Sequence, residues 1–206
     1  MTPPTPRRYA GLSSDQRSAL RRESLMEAGM ELFAASGNRG ATMTAICAQA
    51  KLTERYFYES FSSRDELLEK ILDGIADEVR DAGLAALRAS DGTLEQRVRD
   101  AIASFVTILT EDPRKGRVAM IESAAYEPLR THRRAVLHGF AQMVADEATQ
   151  MYGDRAWPPR QGQINGLLFV GGLAELVTAW LNEEIAISPE EIVEAATYQF
   201  TSTAHR

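Results

Sequence analysis

Side chains able to do chemistry are unevenly placed along these 206 residues. The three histidines, His132, His138 and His205, lack metal-ligand spacing, and the single cysteine, Cys47, excludes an intrachain disulfide framework and a cysteine-rich zinc site. No G-x-G-x-x-G, Walker loop, H-E-x-x-H or G-x-S-x-G pattern occurs, so neither an enzyme nor a cofactor nor a metal is expected. A small all-α hydrolase would need a polar cluster that these residues do not assemble. Cys47 falls on the inward side of a short helix and reads as a small buried hydrophobe. What stands out is Thr42 to Phe61, TMTAICAQAKLTERYFYESF. Its second half puts Glu54, Arg55 and Tyr56, then Tyr58 and Glu59, on the outside of a short helix. Polar and aromatic groups at a helix N-terminus are suited to contacting base edges in a DNA major groove. A compact three-helix bundle with a solvated outer face accounts for the same pattern.

These groups need elements to hold them. Ile46, Ala50 and Leu52 share one side of the segment, Phe57 and Phe61 continue it, and Thr53 is placed to cap the second short helix. Elsewhere, capping-box spacing recurs at Ser13 with Gln16, Ser63 with Glu66, Thr93 with Gln96 and Ser188 with Glu191. Pro189 sits at a first helical position, and Asp112-Pro113 and Glu127-Pro128 mark further starts. Apolar residues recur at three and four, as in Leu25, Ala28, Leu32 and Phe33, and no alternating run bounded by hairpin signals exists. The spacing predicts an all-α chain of about nine helices: 14–36, 43–50, 54–60, 64–90, 94–111, 113–123, 128–152, 160–184 and 189–204.

The stretch GMELFAASGNRGATMTAICAQAKLTERYFYESFSSRDELLEKIL strongly resembles the DNA-binding region of the TetR (tetracycline repressor) family of transcriptional regulators. The likeness covers about residues 20 to 72. Its order is specific: an apolar ELF helix end, a glycine turn, a Thr-started short helix, an aromatic-rich recognition helix, and F-S-S-R-D-E-L-L opening a long helix. One departure is Lys51, where most members have glycine; either a lysine there adopts a left-handed backbone at some cost, or the turn is built slightly differently. The resemblance implies that Thr42 and Thr44 bind phosphate, and that Thr53, Arg55 and Tyr56 face base edges or phosphates. It also makes Tyr58 a phosphate contact and Arg64 a clamp on the DNA backbone. Arg55 can bond guanine O6 and N7 together; the competing role is an ion pair with Glu54 or Glu59. The implied architecture is a helix-turn-helix domain at 13–63, preceded by an arm at 1–12, and a ligand-binding and dimerisation domain at 64–206.

Charge supports that division. The formal net charge of −6 argues against a nucleic-acid partner only as a total. Residues 1–64 carry nine Lys/Arg against six acids, a balance of +3, and residues 65–206 carry 14 against 23, a balance of −9. The arm, with three prolines, Arg7, Arg8 and Tyr9, reads as a solvated tail, with minor-groove contacts as the alternative. No signal-peptide pattern opens the chain, and Ile164–Leu181 falls short of a bilayer span, so a cytoplasmic protein without a membrane partner is expected.

The second half carries the input. Phe105, Leu109, Met120, Tyr126, Phe140, Met143 and Trp180 are the expected lining of an adaptable pocket for a small apolar effector, although an apolar stripe is what any packed helix shows. Glu122, His132 and His138 are candidate polar anchors. The run Arg130, His132, Arg133, Arg134 reads as a solvated helix face, or else receives the phosphate or carboxylate of a ligand. Gly162, Gly166, Gly171 and Gly172 permit close backbone approach. The expected homodimer contact comprises Gly166, Phe169, Leu173, Val177, Ile192, Ala196 and Phe200; the alternative is packing within the monomer. Taken together these features predict a repressor that binds a palindromic operator as a dimer and is released by its effector. A helical small-molecule binding or carrier protein without DNA binding is the other reading.

Overall fold

The computed structural model describes residues 13–89 and 91–203. The expected arm at 1–12, and His205, lie outside them. Helix α1 (Ser14–Gly40) starts at a full capping box: the Ser13 hydroxyl accepts the Gln16 N–H at 3.1 Å and the Gln16 side-chain Oε1 accepts the Ser13 N–H at 2.8 Å. Gly37 breaks it at φ 61°, a conformation that favours glycine, so the regular helix stops where the sequence predicts. Helices α2 (Met43–Gln49) and α3 (Glu54–Ser60) follow. Leu25 and Phe33 of α1, Ile46, Phe57 and Phe61 close a small core against Leu67 and Leu68 of α4 (Arg64–Ala89). Gly29 admits α4 here, because a Cβ would stand 2.5 Å from Leu67 Cδ2. Each fully buried Phe contributes on the order of 1.5–3 kcal/mol, which is how so short an α3 is held.

At 26 residues, or about 39 Å, α4 is a single rod serving both halves of the molecule. Its first turns pack on α1 to α3; farther along, Leu72, Ile75 and Val79 face a cavity shared with α5 (Leu94–Glu111). Thr93 and Gln96 form the predicted box at the start of α5. Beyond it the sequence predicts one helix at 113–123. The chain instead makes α6 (Pro113–Gly116), a π-helical turn at Arg117–Glu122, and α7 (Ser123–Ala125). The wide turn is invisible to a 3.6-residue period, and it follows a tight spot: a Cβ on Gly116 would lie 2.6 Å from the Leu109 carbonyl oxygen. A 3-10 turn, Glu127–Leu129, leads into α8 (Arg130–Tyr152); α9 (Pro159–Leu181) and α10 (Pro189–Thr203) complete an all-α fold, with no strand among the described residues.

The residues predicted to form a dimer contact are turned inward. Gly166 abuts the Ala141 backbone of α8, Phe169 stacks edge-on with Phe200 at 5.3 Å, and Val177, Ile192 and Ala196 are buried. Leu173 lines the cavity. These positions are core, because a chain this size must first cover its own helices. Helix α9 also departs from expectation in being long and apolar enough, by length and composition, to cross a membrane. It is apolar on two sides for two reasons: one packs on α8, while Ile164, Leu167 and Leu168 stay exposed on the other.

Candidate nucleic-acid interface and the cavity behind it

The turn between α2 and α3 is built by backbone bonds. The Lys51 N–H donates to the Ala48 carbonyl and the Leu52 N–H to the Cys47 carbonyl, at 3.1 and 2.9 Å, the pairing of a Schellman termination. Lys51 takes the left-handed position with φ 55°, as its place in the motif requires. Lys51→Gly is therefore expected to raise unfolding stability by about 1 kcal/mol, measured by urea denaturation. Burial pushes the Cys47 thiol pKa up, with Glu54 adding to it, which keeps the thiol protonated and unreactive.

Outward from this frame stand Thr44, Thr53, Arg55 and Tyr58. Arg55 is 84% exposed and pairs with Glu59 at 3.1 Å, the competing partner weighed from sequence. Thr42 caps α2 by accepting the Ala45 N–H, whereas Thr53 occupies the cap position of α3 without a side-chain cap bond. Tyr58 is 59% exposed, its ring edge-on to Phe57. Tyr56 differs from expectation: it is half-buried under the Arg21 guanidinium, 4.5 Å from its ring centre, so it braces α3 on α1.

Arg64 departs furthest from its expected place. Its guanidinium donates to the Asn38 carbonyl at 3.0 Å, to Asn38 Oδ1 at 2.7 Å, and to the Tyr126 hydroxyl. The break at Gly37 leaves the Asn38 carbonyl without a helical partner, and Arg64 fills that need instead of facing outward. Tyr126 in turn donates to Asp65 Oδ1 at 2.8 Å and sets its ring against Phe33. Burial and the Asp65 bond raise its pKa. Tyr126 is thus a bolt between the N-terminal helices and the rest, and it does not line the cavity.

The cavity lies between α4, α5, α8 and α9, with the π turn and Phe200 completing it, and has a volume of about 170 Å³. Of the seven predicted lining residues it brings together Phe105, Leu109, Met120, Phe140 and Met143. Trp180 packs against the core elsewhere. The predicted anchors are also absent: Glu122 pairs with Arg117 at 3.2 Å, His132 bonds Asp73 at 2.6 Å, and His138 is exposed. Of the basic run, given from sequence as a solvated face or else a contact for a ligand phosphate or carboxylate, Arg133 lines the cavity; Glu147 lines it too and was not foreseen. Both keep the register of Val136, Phe140 and Met143 on α8.

The π turn and α4 stand between the cavity and α1. Ala119 and Met120 face the cavity, while a Cβ on Gly37 of α1 would lie 2.8 Å from Glu122 Oε2. Arg114 bonds Glu27 of α1 at 2.5 Å and Lys115 bonds Glu78 of α4 at 2.6 Å. The segment from α6 through the π turn is thus tied to α1 and α4 by packed side chains and ion pairs.

Comparison with known proteins bears on this arrangement. Residues 25–71 match the model of the bacterial regulatory proteins of the tetR family. Among solved structures, the fatty acid degradation regulator FadR of Bacillus halodurans superposes with a TM-score of 0.73 at 15% identity, covering 90% of this chain and 97% of its own. A TetR-like transcriptional regulator from Rhodococcus sp. RHA1 gives 0.66 at 16%, covering 89% and 97%. A TetR-family transcriptional regulator from Bordetella parapertussis gives 0.64 at 20%, covering 88% and 94%. At such identities the likeness establishes the shared fold. No curated protein matches by sequence.

Proposed function

We propose that this chain, whose residues 25–71 match the model of the tetR family of bacterial regulatory proteins, is a repressor of that family that binds a palindromic operator as a homodimer and is released by a small apolar effector. Regulators of this family are DNA-binding transcription factors rather than enzymes, and DNA is the partner the fold implies. The observation that carries the reading is one continuous body with an exposed polar face on α3 and an apolar cavity on α4 and α5, joined by the π turn and the Tyr126 bolt. Thr44, Thr53, Arg55 and Tyr58 contact the DNA, with Thr42 at the head of α2. Arg64 and Tyr56 act behind that face by fixing it. An effector that prefers a cavity shape incompatible with the DNA-bound spacing shifts the population away from DNA.

The dimer face is the outer stripe of α9. Ile164, Leu167 and Leu168 are 45%, 42% and 64% exposed, and Gly171 and Gly172 follow them with nothing within 4 Å of a Cβ. Tyr198 of α10, 74% exposed, adds an aromatic group. A stripe of large apolar residues continued by bare glycines suits a self-complementary contact about a two-fold axis, which would set two α3 helices about 34–36 Å apart.

Selection from random duplexes, followed by gel shift, tests the DNA reading: an enriched palindrome is expected, and no enrichment overturns it. Light scattering tests the dimer. The wild type is expected to be dimeric at micromolar concentration, while Leu168→Glu is expected to be monomeric, still helical, and at least about tenfold weaker on the full palindrome. A dimeric L168E protein would move the interface elsewhere.

A further inference from the structure

One side chain in the cavity does not belong to an apolar core. Arg133 lies on its wall, and its Nε is buried with no hydrogen-bond partner, the only such side-chain atom among the described residues. Its neighbours in the basic run are spoken for or solvated: Arg130 pairs with Glu127, His132 with Asp73, and Arg134 is exposed. Loss of water around Arg133 lowers its pKa, with Glu175 of α9 opposing the shift. An arginine nevertheless stays charged, so a partly desolvated guanidinium stands beside Val136, Leu137 and Phe140 with its Nε unpartnered and Glu175 as a counter-charge that makes no ion pair with it. Such a group persists where something else supplies the counter-charge.

Resting on the effector-cavity reading above, we propose that the ligand is an elongated apolar carboxylate, its head held by Arg133 and its tail laid along the α8 wall. A planar two-oxygen carboxylate matches the fork of a guanidinium and satisfies Nε and a terminal nitrogen together, and it carries less charge and hydration into an apolar cavity than a phosphate would. The tail has room to run. From Arg133 the inward face of α8 continues through Phe140 and Met143 to Glu147, about 21 Å farther along the helix. Glu147 is the one carboxylate on the wall, and it stands at the opposite end of that run, away from the proposed head site. A methionine and aromatic lining between them accepts chains of varied shape.

Three ten-carbon probes with different heads test this by isothermal titration calorimetry on the full protein: decanoate, 1-decanol and decyltrimethylammonium, all below micelle formation. Wild type is expected to bind decanoate at least about tenfold more tightly than decanol, and the ammonium least. In Arg133→Met the decanoate advantage is expected to vanish while decanol binding persists; the variant should melt no lower than wild type, because a buried unpaired charge has been removed. Equal affinity for decanoate and decanol in wild type, or an advantage that survives in R133M, overturns the carboxylate assignment and leaves an apolar effector standing. Preference for the ammonium would overturn it in favour of Glu147 as the anchor. Failure of all three probes to bind would overturn the effector cavity itself. The wild-type comparison needs no variant, so poor folding of R133M does not protect the proposal.

Discussion

A protein carrying Arg55→Ala and Tyr58→Ala together is expected to lose about 100-fold or more in affinity for the selected operator while melting within about 1 kcal/mol of wild type. Binding is read by fluorescence anisotropy on a labelled duplex and stability by urea denaturation. The asymmetry follows from exposure. Arg55 holds only a surface pair with Glu59, and Tyr58 contributes a single ring edge to Phe57. Removing them takes nothing from the core of Leu25, Ile46, Phe57 and Phe61. On DNA, Arg55 must exchange Glu59 for a base or phosphate, so its gain is smaller than that of a free arginine, and Tyr58 carries part of the loss. Undiminished affinity would remove α3 as the reading element. Tyr56→Ala should behave differently, losing stability along with affinity, because its ring lies beneath Arg21.

The second large effect is at Gly166. Gly166→Val is expected to destabilise the protein by about 3 kcal/mol or more, seen as a fall in the denaturation midpoint. A Cβ there would lie 2.3 Å from the Ala141 carbonyl oxygen, and backbone cannot step aside as a flexible side chain can. Helices α8 and α9 would have to separate, opening the cavity wall between Phe140 and Phe169. Gly74→Ala is the matched opposite: mid-helix in α4, with nothing within 4 Å of a Cβ, it should gain about 0.5–1 kcal/mol. If Gly166→Val instead gained stability as Gly74→Ala does, helix propensity rather than the α8–α9 approach would be the governing factor.

These glycines show what a sequence carries and what it lacks. Gly162, Gly166, Gly171 and Gly172 look equivalent along α9, each a licence for close approach. In three dimensions the first two are spent on Ala145 and Ala141, while the last two stay bare. Phe169, Val177 and Ile192 were plausible between subunits for the same reason they are buried within one, since an apolar face does not say what covers it. Arg64 illustrates the polar version. Its position at the head of α4 was legible, but its direction depends on a carbonyl freed 26 residues earlier by the break at Gly37.

Local physics was read well. The capping boxes at Ser13, Thr93 and Ser188, the proline starts at 113 and 189, and the left-handed Lys51 are all interactions within a few residues, so the sequence alone determines them. The order of short and long helices and the concentration of positive charge at the reading end follow in the same way. Tertiary structure decided the rest: which side of α8 holds Arg133, that Tyr126 bolts α1 to α4 rather than lining the cavity, and that a π turn stands between cavity and reader. Each depends on groups brought together from distant parts of the chain, where packing and desolvation, rather than local spacing, choose the partner.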